Sequence, residues 1–105
     1  MNILILGLGA LGIVFAVALK SSGNNVFGVT KEKYLERFKN KPLKIKGLFG
    51  ERETFIDGIY ANTEKLIDLN LDLIIVSVKS YDTEKAINQI KSLIKEKTLV
   101  LLAQN

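Results

Sequence analysis

Residues 2–23, NILILGLGALGIVFAVALKSSG, contain no charged side chain from Ile3 to Leu19. Three structures suit so long an apolar run: the core of a secretory leader, a membrane span, or a buried strand that turns into a buried helix. A leader carries basic residues ahead of its apolar core and a small-residue cleavage site behind it. Here Asn2 precedes the run and the first cation is Lys20. A spanning helix needs about 20 apolar residues, and this run is shorter and holds Gly7, Gly9 and Gly12 near its middle. The run therefore reads as two elements. Asn2–Leu6 has the length of a strand and is apolar enough to be buried on both faces, as strands of helix-covered parallel sheets are. Ala10–Ser22 reads as a helix, stopped by Gly23, with Asn24 and Asn25 at the turn.

Between the two lies Gly7-Leu8-Gly9-Ala10-Leu11-Gly12, a G-x-G-x-x-G spacing. Each glycine has a physical task in such a turn. Gly7 permits the tight exit from the strand, Gly9 lets a pyrophosphate approach the backbone, and Gly12 lets helix and strand pack closely. Free N–H groups and the helix dipole at that terminus favour an anion. Glycine-rich turns are common, but in a strand–turn–helix setting this one points to dinucleotide binding.

The remaining chain alternates strands and helices. Asn25–Val29 (NVFGV) predicts a second strand, completing a βαβ unit. Thr30 is placed to cap a helix over Lys31–Asn40, with Tyr34, Leu35 and Phe38 as its apolar stripe and Pro42 blocking its continuation. LKIKG and ETFID predict a hairpin or an antiparallel extension of the sheet edge. A short helix is expected over Thr63–Asp68. Asp72–Val78 (DLIIVSV) predicts another buried strand, Asp82–Lys95 a helix with Asp82 as N-cap, and Thr98–Ala103 (TLVLLA) a further buried strand. The fold class is thus α/β: a Rossmann-like, doubly wound, mostly parallel sheet in three layers with a β-hairpin insertion. Its parallel strands start near Asn2, Asn25, Asp72 and Thr98. Ligands bind such sheets outside the carboxyl ends of the strands. There the glycine turn, Thr30-Lys31, Lys79-Ser80 and Gln104-Asn105 collect.

Composition narrows the chemistry. The chain of 105 residues is 48% hydrophobic and 25% charged, with one proline and no repeat or linker, which fits one globular domain. It contains no cysteine and no histidine, so disulfides, thiolate metal sites, Cys nucleophiles and His-based proton transfer are excluded within it. No metal site is expected. The net charge of +4 comes from lysines spread along the chain. This is the pattern of solvated faces rather than of a nucleic-acid surface, though it would also attract a small anion. The strand of Val29 ends in Thr30-Lys31 without a carboxylate for a ribose 2′-OH. A cation there suits the 2′-phosphate of NADP, the alternative being that Glu32 reaches the ribose of NAD.

On ILGLGALG, DLIIVSVKSYDTEKAI and LVLLAQN the chain resembles the N-terminal, NADP-binding domain of ketopantoate reductases (2-dehydropantoate 2-reductases). The resemblance runs over essentially all 105 residues. LKIKGLFGERETF resembles that family's insertion before the third parallel strand. The resemblance implies reduction of 2-dehydropantoate to pantoate with NADPH, on the route to pantothenate and coenzyme A, in the cytoplasm. It makes Gly7, Leu8, Gly9, Ala10, Leu11 and Gly12 the pyrophosphate-binding turn. Lys31 stands where the family usually has an arginine for the 2′-phosphate, a replacement that forgoes bidentate contact. Lys79 matches a lysine beside the cofactor, and Asn105 an asparagine near nicotinamide and substrate. The family's catalytic lysine and substrate-orienting acid belong to a helical C-terminal domain with no counterpart here. No catalytic residue is therefore expected within residues 1–105, which should bind cofactor and be inactive alone. The implied partner is a small 2-keto acid, with no nucleic acid and no membrane, and with room for a homodimer through the further domain. Two other readings stay open: a stand-alone dinucleotide-binding sensor without catalysis, and a reductase of another 2-keto acid.

Overall fold

Alternate residues of the first strand point to opposite faces of a sheet, and each face has found its own core. A computed structural model describes residues 1–47, 50–79 and 82–103; the expectations placed on Ser80, Gln104 and Asn105 lie outside these residues. Strand β1 (Asn2–Leu6) sends Leu4 and Leu6 into a cluster with Val29, Leu66, Leu71, Ile74, Val76, Ala86, Ile90 and Leu93. It sends Ile3 and Ile5 into a second cluster with Leu8, Ala16, Val17, Val26, Leu43 and Ile75. Helix α1 (Ala10–Ser21) covers the second face and helix α2 (Thr83–Ile90) the first. The result is the three-layer arrangement expected of a parallel sheet buried on both sides.

Five parallel strands form the sheet: β1, β2 (Asn25–Val29), β5 (Gly58–Tyr60), β6 (Leu73–Val76) and β7 (Leu99–Leu102). Their spatial order is β5-β2-β1-β6-β7. The chain starts at the centre, winds outward through β2 and β5, then crosses back to β6 and β7. Among parallel strands this is the order third-second-first-fourth-fifth, which reverses direction beside β1 and leaves a crevice at the carboxyl ends there. The hairpin β3 (Leu43–Gly47) and β4 (Gly50–Thr54) is a separate two-stranded sheet packed on α1, not an extension of the main edge. Its directly opposed pairs Lys44–Glu53 and Lys46–Glu51 are exposed ion pairs of 3.5 and 3.3 Å. Such pairs add little to stability.

α1 ends as its sequence dictates. Gly23 has φ +92°, and its N–H donates to the Lys20 carbonyl while the Asn24 N–H donates to the Leu19 carbonyl. These are the two bonds of a Schellman cap.

Several expectations are corrected. Residues 31–40 do not form an α-helix capped by Thr30. The segment Glu32–Arg37 is a 3-10 helix that begins from Lys31, and Thr30 is buried with its N–H bonded to the Tyr60 carbonyl. Thr30 is still in the β2–β5 ladder, so the helix starts one residue later. The second hairpin strand lies over Gly50–Thr54 rather than over ETFID, because the ladder runs from Gly47 opposite Gly50 to Leu43 opposite Thr54. The expected helix over Thr63–Asp68 is a single 3-10 turn, Glu64–Leu66. The helix after Asp82 tightens into 3-10 turns at Lys91–Leu93. The final strand is present but not buried: Leu99 is 67% and Leu102 52% exposed. It is the sheet's edge, and an apolar strand is dry only where helices cover both its faces. Among the described residues no helix is long and apolar enough to cross a membrane, and no cluster of acidic residues could hold a metal.

Asp57 closes the other edge. Its N–H donates to the Val26 carbonyl at 2.8 Å, and its Oδ2 accepts the Val26 N–H at 2.7 Å. Lys20 Nζ donates to both carboxylate oxygens, at 3.1 and 3.0 Å. Burial pushes the Asp57 carboxyl upward, but the Val26 hydrogen bond and Lys20 outweigh burial and hold it below its ordinary value. A carboxylate with a lowered folded pKa stabilises the fold above its unfolded value, about 3.9, and loses that contribution as pH falls through the folded value. Asp57→Asn is therefore expected to lower the urea midpoint near neutral pH and to converge on the parent at acid pH. Urea titrations between about pH 6 and about pH 3 check this.

Candidate functional site

The crevice at the carboxyl ends of β1, β2 and β6 is a cleft of about 410 Å³. Gly7 and Gly9, Thr30 and Lys31, Lys33, Tyr34 and Arg37, and Ser77, Lys79 and Asp82 all line it. The sheet's topology thus brings together the expected glycine turn, Lys31 and Lys79. Asn105 lies outside the described residues.

The turn works through three different constraints. Gly7 has φ +104°, donates its N–H to the Val29 carbonyl, and sits so close to β6 that a Cβ would be 2.8 Å from the Ser77 carbonyl oxygen. Gly12 lies on α1 against the turn itself: a Cβ there would collide with the Gly7 carbonyl oxygen and come within 3.3 Å of Ile5. Gly9 is unlike both. It is exposed, has an ordinary negative φ, and a Cβ built on it meets nothing within 4 Å. Gly7 and Gly12 are required by the protein's own packing, whereas the space beside Gly9 faces the cleft.

That space adjoins an open helix terminus. Gly9 is the N-cap and provides no side-chain acceptor, and the first turn of α1 has no acidic residue. The first α-helical bond runs from the Ile13 N–H to the Gly9 carbonyl, so the N–H groups of Ala10, Leu11 and Gly12 have no acceptor within the helix. Leu8 is buried, its side chain packed on β2 where a Cβ at Gly28 would come 2.8 Å from it. The turn therefore offers backbone donors and the positive end of a helix dipole, an arrangement suited to a phosphate.

A cationic group flanks the turn on the β2 side. Lys31 Nζ lies 3.7 Å from Asp82 Oδ2, across the cleft from the approach to α2. Asp82 is the N-cap residue of α2, as expected, yet makes no side-chain capping bond. Beside Lys31, the Tyr34 ring carries Arg37 Cζ 4.4 Å and Lys33 Nζ 5.0 Å from its centroid. Lys33, by a hydrogen bond and by its charge, holds the Tyr34 phenol below its ordinary pKa; slight desolvation opposes this, and Lys31 and Arg37 add to it. Lys33, Tyr34 and Arg37 were not legible as site residues. Read as an α-helix, the segment assigns Tyr34 to the apolar stripe. In a 3-10 helix residues three apart eclipse, which sets Lys31, Tyr34 and Arg37 on one face.

Comparison with known proteins gives this architecture a context. Residues 3–105 match the family described as ketopantoate reductase PanE/ApbA. The 2-dehydropantoate 2-reductase of Aquifex aeolicus is 32% identical over 105 residues, 100% of this chain and 32% of that protein. The ternary structure of D-mandelate dehydrogenase with NADH and anilino(oxo)acetate matches with a TM-score of 0.85 at 32% identity, over 100% of this chain and 34% of that one. The 2-dehydropantoate 2-reductase of Geobacter metallireducens matches with a TM-score of 0.85 at 28% identity, again over 100% and 34%. The chain spans about a third of the length of the curated relatives it matches.

The contrast among the glycines yields a paired prediction. Gly12→Ala should unfold or strongly destabilise the chain, since the added methyl has no room beside Gly7. Gly9→Ala should leave the circular dichroism spectrum and melting temperature near those of the parent. Thermal melts of the two variants distinguish these outcomes.

Proposed function

The chain belongs to the ketopantoate reductase PanE/ApbA family, and from that membership we propose that residues 1–105 are the nucleotide-binding part of an NADPH-dependent reductase of 2-dehydropantoate. The observation that carries this reading is the open space at Gly9, on an uncapped helix terminus at the carboxyl edge of a parallel sheet. The backbone N–H groups of Gly9, Ala10, Leu11 and Gly12 hold the pyrophosphate. Lys31, with the cations around Tyr34, favours the 2′-phosphate, and the tip of β2 offers no carboxylate to a free 2′-OH. Lys79, exposed three residues beyond β6 and lining the same cleft, lies along the cofactor, and the role beside nicotinamide and substrate is the one the family resemblance gives to Asn105.

Bound NADPH supplies the hydride that adds to the carbonyl carbon of a 2-keto acid, leaving an alkoxide that must be stabilised and protonated. Residues 1–105 have no histidine or cysteine for that task. Their part is to bind and orient the dinucleotide. We assign the proton donor and the anchor for the substrate carboxylate to a further, helical domain, as the family resemblance implies. The likeness to D-mandelate dehydrogenase, equal in identity to that of the Aquifex reductase, favours a second reading in which the substrate is an aryl 2-keto acid on the same scaffold.

Titration should show NADPH binding to residues 1–105, weakened at least about tenfold, or 1.4 kcal/mol, by Gly9→Ala. NADPH oxidation should be catalysed by the full-length protein with 2-dehydropantoate and not by residues 1–105. Preference for an aryl 2-keto acid would move the substrate assignment to the second reading, and unchanged binding by Gly9→Ala would remove the turn from the site.

A further inference from the structure

The cations lining the cleft are not equivalent. Lys31 already faces a carboxylate, Asp82, at 3.7 Å, so an anion arriving at its ammonium competes with a resident partner. Arg37 and Lys33 have no carboxylate within ion-pairing distance among the described residues. Of the two acids on the same 3-10 segment, Glu36 lines a different cavity, between that segment and Phe55. Glu32 lines neither cavity.

Arg37 is also held in place. Three residues after Tyr34 in a helix of three residues per turn, it lies over the phenol ring at 4.4 Å. A guanidinium stacked on a ring keeps its N–H groups free in its own plane. That planar fork matches two phosphate oxygens at once, which a lysine ammonium cannot do. Bracing on the ring also lowers the side-chain entropy lost on binding.

Resting on the reading of this cleft as a dinucleotide site, we infer that Arg37, positioned by the Tyr34 ring, is the chief determinant of preference for a 2′-phosphorylated over an unphosphorylated adenosine ribose. Lys33 assists and Lys31 is secondary. Tyr34 acts as a positioning residue: its ring, not its hydroxyl, is what Arg37 needs.

The test is titration of the parent chain and of Arg37→Ala, Arg37→Lys, Lys31→Ala, Tyr34→Ala and Tyr34→Phe with NADPH and NADH, reading the ratio of the two Kd values. The parent should favour NADPH by roughly tenfold to a hundredfold, the range expected of charge-assisted hydrogen bonds. Arg37→Ala should remove most of that ratio by weakening NADPH while leaving NADH unchanged. Arg37→Lys should retain only part of it, and Lys31→Ala should lower it less than Arg37→Ala does. Tyr34→Ala, which changes no charge, should lower the ratio toward that of Arg37→Ala, whereas Tyr34→Phe should keep it. A ratio unmoved by Arg37→Ala, or abolished by Lys31→Ala alone, would overturn the inference and leave the cleft a dinucleotide site. A parent that binds neither nucleotide would overturn both readings.

Discussion

The Gly7 carbonyl oxygen occupies the position that a Cβ on residue 12 would need. That close approach draws the first turn of α1 against the exit of β1, and the rest of the cleft depends on it. With α1 so near, Ala16 and Val17 bury fully against Ile3, Ile5 and Val26. The same geometry leaves Gly9 outside the packed layer, beside free helix donors. Gly7, wedged against the Ser77 carbonyl, ties this turn to the tip of β6. These two close approaches together set the distance between the glycine turn and the segment beyond β6 that carries Lys79.

Charge at this edge is arranged by backbone geometry more than by residue count. The chain carries a net charge of +4, but most lysines lie on solvated faces or in exposed pairs such as Lys44–Glu53 and Lys46–Glu51. At the tip of β2 the tight 3-10 winding instead stacks Lys31, Tyr34 and Arg37 on one side. The approach to α2 contributes the single facing carboxylate, Asp82, among the described cleft-lining residues. The cleft is thus cationic along its β2 wall, with backbone donors along its floor.

The central βαβ unit was legible because its signals are local. β1 and β2 have the bounds their composition suggests, and α1 stops where Gly23 permits a positive φ. The family, too, could be recognised from the glycine turn, the strand leading to Lys79 and the final apolar strand. What was not legible depends on partners distant in sequence. LVLL reads as buried, yet β7 is exposed because burial is decided by the layers that cover a strand. Gly58–Tyr60 is too short for any periodicity to reveal, and it joins the sheet through Asp57 and its bonds with Val26. Tyr34, Leu35 and Phe38 suit either helix type, so the pattern of apolar residues does not show the 3-10 winding or that Arg37 lies over the Tyr34 ring in the cleft.

We propose that the glycine turn and the β2 tip form one continuous dinucleotide site. Amide chemical-shift mapping of the isotope-labelled chain during addition of NADPH tests it most directly. The largest perturbations should fall on Gly7 to Ile13, with a second set on Lys31 to Arg37 and a third at Lys79. Perturbations confined to the cavity beside Phe55, or to one segment of the cleft without the others, would contradict it.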